Sequence, residues 1–242
     1  MTKAIVIIPT FNEKENIEAI ILKVLSLPSA FDLLVVDDGS PDGTATIVKN
    51  FLEKNPTRIH LVERKGKLGL GTAYIHGFRY ALNNGYEYIF EMDADFSHNP
   101  DDLVKLYTAC KNGADMAIGS RYITGVNVVN WPMSRVLMSY FASTYVRFIT
   151  GMPIMDATAG FVCYTAKVLK TIDLDKIKFI GYAFQIEMKF TTWRYGFNLV
   201  EVPIIFTDRT LGQSKMSPGI FKEAFWGVIQ MKIGSFFKNY VR

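Results

Sequence analysis

The chain begins with an uninterrupted apolar run, Ala4-Ile-Val-Ile-Ile8, which has neither the alternation of a one-faced strand nor a helical period. Such a run predicts a strand buried on both faces of a parallel sheet. Pro9-Thr-Phe-Asn-Glu13 then turns, and Glu15 to Leu27 places Ile17, Ile20, Ile21, Val24 and Leu25 at helical spacing. The pattern repeats. Phe31 to Val36 predicts a second strand, and Asp37-Asp-Gly-Ser-Pro-Asp-Gly43 is a turn opening a helix to about Lys54. Ile59 to Val62 predicts a third strand, followed by a glycine-rich basic loop and a helix through Leu82. Tyr86 to Phe90 reads as a fourth strand, Asp101 to Lys111 as a helix and Asp115 to Gly119 as a fifth strand. Further on, strands are expected at Phe161 to Tyr164 and Asn198 to Phe206, with a helix from Tyr182 to Tyr195 between them. The pattern is that of an α/β protein.

The polar residues that interrupt this pattern are concentrated where strands end. After Phe90 comes Glu91-Met-Asp-Ala-Asp-Phe-Ser-His-Asn-Pro100. Side chains two apart on a strand point to the same side, so Asp93 and Asp95 are expected to project together at the C-terminal edge of the sheet, where open α/β folds bind ligands. Two carboxylates at that range repel unless a cation or water intervenes, and oxygen ligands with open positions suit Mg²⁺ or Mn²⁺ carrying a phosphate. A solvated acidic turn before a helix near Pro100 is the plain alternative. An EF-hand is excluded, because the loop lacks its glycine and position 104 is Val rather than the closing Glu. The first strand-turn-helix unit has no Gly-x-Gly-x-x-Gly, which excludes a Rossmann dinucleotide site. Asp38, at the next strand's end, is placed to accept hydrogen bonds from a base or ribose, while Ser40 or Asp42 is suited to cap the helix. Arg64-Lys-Gly-Lys-Leu-Gly-Leu-Gly71 combines glycines and cations as a phosphate lid would, and equally as a solvated loop would.

Composition changes between Tyr122 and Met155. The only charged side chains there are Arg135 and Arg147, apart from Asp156 just beyond, and they lie among Trp131, Tyr140, Phe141, Tyr145 and Phe148. A helix from about Ser134 places Arg135 and Ser139 on one face. Arg121 and Arg135 are then candidates to grip an anionic head beside an apolar surface, against the alternative of a core helix whose arginines reach outward. Thr207-Asp-Arg-Thr-Leu-Gly-Gln-Ser-Lys215 is a charged loop able to cover a diphosphate, and Asp156-Ala-Thr-Ala-Gly-Phe161 leads into the late strand. The tail mixes Phe221, Phe225, Trp226, Ile233, Phe236 and Phe237 with Lys222, Lys232, Lys238 and Arg242, which suits an interfacial helix or one docked on the domain.

Length and charge narrow the class. At 242 residues and 49% hydrophobic, the chain has material for one large core or two small ones. Lys and Arg exceed Asp and Glu only by 27 to 23, which argues against general nucleic-acid binding. The isolated Cys110 and Cys163 suggest neither a disulfide framework nor a zinc site, and fit a reducing cytoplasm. The opening apolar run is too short for a signal peptide, and no apolar stretch approaches the roughly 20 residues of a membrane span.

Six stretches in order now resemble glycosyltransferase family 2, and most closely its dolichol-phosphate or polyprenyl-phosphate mannose synthases. They are Pro-Thr-Phe-Asn-Glu at 9–13, Asp-Asp-Gly-Ser-Pro-Asp-Gly-Thr at 37–44 and Lys-Leu-Gly-Leu-Gly-Thr-Ala-Tyr at 67–74. Met-Asp-Ala-Asp-Phe-Ser-His at 92–98, Gly-Ser-Arg-Tyr at 119–122, and Asp-Arg with Gly-x-Ser-Lys across 208–215 complete the set.

The resemblance implies a GT-A fold, a mostly parallel sheet flanked by helices, over residues 1–216. It includes an acceptor- and membrane-facing helical segment at about 122–155 and is followed by a C-terminal amphipathic helix at 217–242. It implies that Pro9, Phe11, Glu13, Val36 and Asp38 hold the nucleoside of a nucleotide sugar. Asp93, Ala94 and Asp95 would hold its diphosphate with a metal, Mg²⁺ or Mn²⁺, the two aspartates being the metal ligands. Arg209 and Lys215 would contact donor phosphate, and Arg121, Arg135 and Ser139 the phosphate of the lipid acceptor. Asp93, Asp95 and Arg121 are thereby the expected catalytic set. Phe11 stands where Tyr is common in the family, and Ser97 where some members have a metal-binding Gln. The implied reaction is inverting transfer of mannose from GDP-mannose to a dolichyl or polyprenyl phosphate, the alternative being glucose from UDP-glucose. The implied place is peripheral, at the cytoplasmic face of a membrane, with a small membrane-anchoring partner in some organisms.

Overall fold

The protein is described here by a computed structural model covering residues 3–181, 183–209 and 219–241, with backbone alone for 219–224. The expected Lys215 and the basic Arg242 lie outside the described residues, as does the side chain of Lys222.

Strands β1 (Ala4–Thr10), β2 (Phe31–Asp37), β3 (Ile59–Glu63) and β4 (Tyr88–Glu91) alternate with helices α1 (Ile17–Leu25), α2 (Thr44–Lys54) and α3 (Leu70–Asn83). After α4 (Asp102–Lys111) and β5 (Met116–Ser120) the chain makes a short strand, β6 (Val128–Val129), and the long helix α5 (Met133–Thr150). It returns through β7 (Val162–Thr165), α6 (Ala166–Thr171), α7 (Ala183–Arg194), β8 (Leu199–Pro203), β9 (Phe206–Thr207) and α8 (Gly219–Ser235). The main sheet runs β3-β2-β1-β4-β7-β5-β8, and β6 pairs with β9 in a separate two-stranded ribbon. Pairings of β1 with β2 and β4, β2 with β3, and β5 with β8 are parallel; β7 runs antiparallel between β4 and β5. The expected α/β architecture, mostly parallel and flanked by helices, is what forms. The single expected strand over 198–206 divides into β8 and β9, because Pro203 closes the pairing with Ser120 and the chain then crosses to β6.

The apolar runs are explained by burial on both faces. Ile5, Ile7, Leu34 and Val36 pack with Tyr74, Phe78 and Phe184, whereas Val6, Ile8, Leu33 and Val35 pack with Ile17, Ile20, Val24 and Leu103 on the other side. Successive residues of one strand thus serve two cores, as the period of two requires. The approach of α3 to β1 is set by Gly77, where an added Cβ would lie 2.6 Å from Cγ2 of the fully buried Ile7.

Gly77→Ala therefore sets about 1 kcal/mol of gained helix propensity against a larger overpacking penalty, since Ile7 in a central strand has nowhere to move. We expect a net loss of about 1–2 kcal/mol in urea unfolding; a stabilised variant would show that α3 can shift away from the sheet.

Candidate functional site

The C-terminal ends of β1, β2, β4 and β5 meet at one edge, and the loops that leave them are tied to one another. Thr10 Oγ1 donates to Asp37 at 2.8 Å, and Ser40 donates to the same carboxylate through both its amide and its hydroxyl. Asp42 accepts from the Thr44 amide and hydroxyl and from the Lys14 amide, and Ser40 Oγ accepts from the Asn12 amide. Asp42 thus fastens the start of α2, as its position suggested, and Asn12 takes a positive φ of 56° to bring the two loops together. Around this frame stand the expected nucleoside residues. Val36 is buried in β2, Pro9 and Phe11 are partly exposed, and Glu13 accepts from Asn16 Nδ2. The Lys67 ammonium lies 5.5 Å from the Phe11 ring centroid, so the basic loop does reach over this corner. Asp38 is already engaged: Arg64 donates from Nε to its Oδ1 at 2.6 Å, and the same guanidinium donates to Thr72 Oγ1. Arg64 is a site residue that the sequence pattern did not single out, because its partner lies 26 positions away.

The expected alternation of β4 does not carry on into the acidic stretch. Pairing stops at Glu91, so Asp93 and Asp95 sit in the following turns and the alternation of a strand does not govern them. Phe96 takes a φ of 58°, and the turn it makes lets the Asp95 Oδ1 accept from the Ser97 amide at 3.0 Å. The other Asp95 oxygen is 2.8 Å from the Arg209 guanidinium, in a pair where Asp95 is 5% exposed. Asp93 is half exposed, and its amide donates to Nδ1 of His98 over 3.5 Å. An amide only donates, so the neutral His98 ring carries its proton on Nε2. Burial holds its pKa down to about 4, and the ring stacks on Phe161 at 4.9 Å. The chain of β9 seals this turn: His98 bridges Phe206, and the Thr207 amide donates to the Ser97 carbonyl.

A cavity of about 80 Å³ opens here, with Asp93, His98, Arg121, Thr158, Gly160 and Gln185 among its walls. Arg121 forms a two-pronged ion pair with Asp156, Nε to Oδ2 at 2.7 Å and NH2 to Oδ1 at 2.6 Å, and also donates to Thr158 Oγ1. Burial alone would raise the Asp156 pKa, but the Arg121 charge and hydrogen bonds outweigh it and hold it below the usual carboxylate range. The rings of Tyr122, Trp131 and Phe206 surround the same guanidinium at 5.2–5.6 Å. Arg135 stacks on Trp131 at 4.1 Å and donates to both oxygens of Asp208. Ser139 is half-buried on α5 beside Tyr122. The structure thus brings Asp93 and Arg121 into the lining of one cavity, holds Asp95 in the adjoining turn against Arg209, and pairs Arg135 with Asp208, the residue before Arg209.

Behind the cavity Glu91 and Lys189 are fully buried; burial pushes the carboxyl up and the ammonium down, each to about 8. Asp156, Gln185 and Lys189 were not candidates from the sequence. The available signal was charge without a solvent face: every residue of α7 from Ala183 to Thr192 is buried, Glu187 and Lys189 included.

The side chains present fit a hard divalent cation. Among the described residues no three His, Cys, Asp or Glu groups gather around one point. An ion here would take one or two carboxylate oxygens from Asp93 and Asp95 and its remaining ligands from phosphate, the usual arrangement for Mg²⁺ at a phosphate site.

With this geometry in place, the chain can be set beside known proteins. The profile of glycosyl transferase family 2 matches residues 5–173. A polyprenol monophosphomannose synthase of Mycolicibacterium smegmatis is 46% identical over 231 residues, covering 93% of this chain and 87% of its own. An undecaprenyl-phosphate mannosyltransferase of Micrococcus luteus is 45% identical over 231 residues, covering 93% and 94%. Among solved structures, glucosyl-3-phosphoglycerate synthase of Mycobacterium tuberculosis, in complex with Mn²⁺, UDP and glucosyl-3-phosphoglycerate, superposes with a TM-score of 0.67 at 15% identity, covering 97% of this chain and 80% of its own. That likeness is one of fold, the GT-A arrangement. The chain belongs to glycosyl transferase family 2.

Proposed function

We propose that this enzyme transfers mannose from GDP-mannose to a polyprenyl or dolichyl phosphate, with inversion at the anomeric carbon. The observation that carries the reading is a cleft with carboxylates on one wall and an aromatic-caged arginine on the other, beside a strongly apolar helix pair. The names of the two relatives above agree with it. Pro9, Phe11, Glu13, Val36 and Asp38 hold the nucleoside, and Asp93, Ala94 and Asp95 face the diphosphate. Asp93 and Asp95 would hold Mg²⁺ or Mn²⁺, which when bound would supply positive charge at the leaving diphosphate. Arg209, which pairs with Asp95, would contact the donor phosphates, the role also expected of Lys215. A lipid monophosphate has its second pKa near about 6 and is already a nucleophile at neutral pH, so no general base is required. Arg121, Arg135 and Ser139 align its phosphate for attack, and alignment with charge stabilisation is the protein's contribution.

The acceptor's tail requires an apolar approach. Tyr145 of α5 stacks on Phe225 of α8 at 4.8 Å and donates to its carbonyl, and Lys232 donates to the Thr150 carbonyl, so the two helices travel together. Val228 faces inward, yet Met133, Phe141, Phe148, Trp226, Ile233 and Phe237 remain exposed, Phe148 and Phe237 at 86%. Apolar residues thus occupy both the packed and the open side of α8. A patch of this kind, with Lys238 nearby, suits a membrane surface. Among the described residues no helix is long and apolar enough to cross a bilayer. In this reading the exposed apolar patch takes the site to the lipid at the membrane surface, the cytoplasmic face being the expected side and a small membrane protein a suitable anchoring partner.

A donor-by-acceptor assay in detergent tests the reaction: GDP-mannose with a polyprenyl phosphate and Mn²⁺ or Mg²⁺ should give product, and EDTA should abolish it. Preference for UDP-glucose would reassign the sugar, and no transfer from either donor would sink the proposal. Asp95→Asn should lower kcat by about 100-fold or more, on the scale of losing a transition-state charge stabiliser, with the circular dichroism spectrum preserved; near-normal turnover at saturating metal would remove Asp95 from the site.

For the surface, liposome co-sedimentation should fall for Phe141→Ser/Phe148→Ser while turnover on a short water-soluble acceptor is kept. Equal sedimentation would place the membrane approach elsewhere.

A further inference from the structure

The transfer reading assigns the two ends of the cavity and leaves its floor without a role. Gln185, in the first turn of α7, contributes to that floor and is only 3% exposed. Its Nε2 donates to Glu91 Oε2 at 2.7 Å, and its Oε1 accepts from Lys189 Nζ at 3.4 Å. Lys189 also donates to the carbonyls of Ala159 and Gln185, and the Tyr164 hydroxyl donates to the second Glu91 oxygen. The Lys189 ammonium can only donate, so the amide oxygen faces it and the amide nitrogen is turned to Glu91. An amide nitrogen has two N–H groups, and Glu91 takes one of them. That nitrogen lies 3.9 Å from the Cβ position that Gly160, another wall residue, leaves empty.

The energetics argue against a merely structural role. Burying ionisable side chains such as Glu91 and Lys189 carries a desolvation cost that apolar side chains of similar size do not. The neighbours Phe184, Ile186, Met188 and Phe190 show that this helix is otherwise built from such side chains. What Glu91 and Lys189 add is a fixed direction for one amide, in a cavity whose lining also includes Asp93, assigned above to the diphosphate, and Arg121 with Thr158, on the acceptor side of that reading. In the reaction proposed above, only the transferred sugar lies between those two.

We propose that Gln185 recognises a hydroxyl of the transferred sugar, with Lys189 and Glu91 acting as positioning residues that hold its amide. The inference rests on the transfer reading and goes beyond it by naming the group that senses the sugar rather than the nucleotide or the lipid. A hydrogen bond made only to the sugar has a signature: its loss weakens GDP-mannose and spares GDP.

Calorimetric titration of the full chain with GDP and with GDP-mannose, in Mn²⁺, separates the two. For Gln185→Leu we expect an unchanged Kd for GDP and a Kd and KM for GDP-mannose raised about tenfold, the scale of one lost buried hydrogen bond with its partner left unpaired. Lys189→Met should reproduce that split, and the double variant should be no worse than either alone, because both act through one amide. Gln185→Met, close to isosteric, carries the same test if the leucine variant does not fold. Equal weakening of GDP and GDP-mannose, or no weakening of either, overturns the assignment while wild-type transfer stands. A wild type that transfers no mannose overturns the reading and this inference together.

Discussion

Crowding negative charge at the edge of a sheet is the constraint to which the rest of this structure responds. Glu91, Asp93 and Asp95 follow one another at alternate positions, and Asp38, Asp156 and Asp208 arrive at the same edge from other segments. Carboxylates in such proximity raise one another's cost of ionisation. The fold answers with a cation for almost every one: Arg64 for Asp38, Arg209 for Asp95, Arg121 for Asp156 and Arg135 for Asp208, with Lys189 near Glu91. These pairs draw together loops that are far apart in sequence, so the electrostatic balance also determines where β9, α5 and the loop before α3 come to rest.

The same pairs explain how one edge can serve both as scaffold and as binding site. A cation already desolvated and oriented by a carboxylate needs little rearrangement to meet a phosphate, and arginine presents a planar fork suited to either partner. Buried pairs add little net stability over apolar packing. Their concentration at this edge, with Ile, Val and Phe filling both cores elsewhere, is therefore better accounted for by ligand chemistry than by folding. The aromatic rings around Arg121 contribute in the same sense, because they hold the guanidinium through its faces while its edge bonds to Asp156 and Thr158.

Much of this was legible in the chain itself. Elements β1 to β5 and α1 to α4 follow from apolar runs and helical spacing because those signals are local, and the site's acidic stretch stands out for the same reason. Less accessible was anything that depends on a distant partner. The reversal of β7 has no local signature, since a four-residue apolar strand reads identically in either direction. The split between β8 and β9 needs knowledge of where β5 ends. Arg64 and Gln185 gain their significance from Asp38 and Glu91, and Lys189 reads as an ordinary polar face of a helix until that helix is found to have no face in water. Even Asp93 and Asp95, recognised at once by type, reach the cleft through a turn and a left-handed Phe96 rather than through strand alternation.

The antiparallel β7 also bears on how this architecture can diversify. Because it runs against its neighbours, the chain that leaves β5 at Ser120 comes back into the sheet at Val162 on the same edge, where Gly119 donates to the Phe161 carbonyl. Everything between, with β6 and α5, is an excursion whose two ends are side by side. Such a segment can lengthen, shorten or change its chemistry without altering the register of β1 to β4. The reversal thus divides the molecule into a parallel framework and an insert anchored at two adjacent points, so that changes in the insert need not be transmitted to the framework.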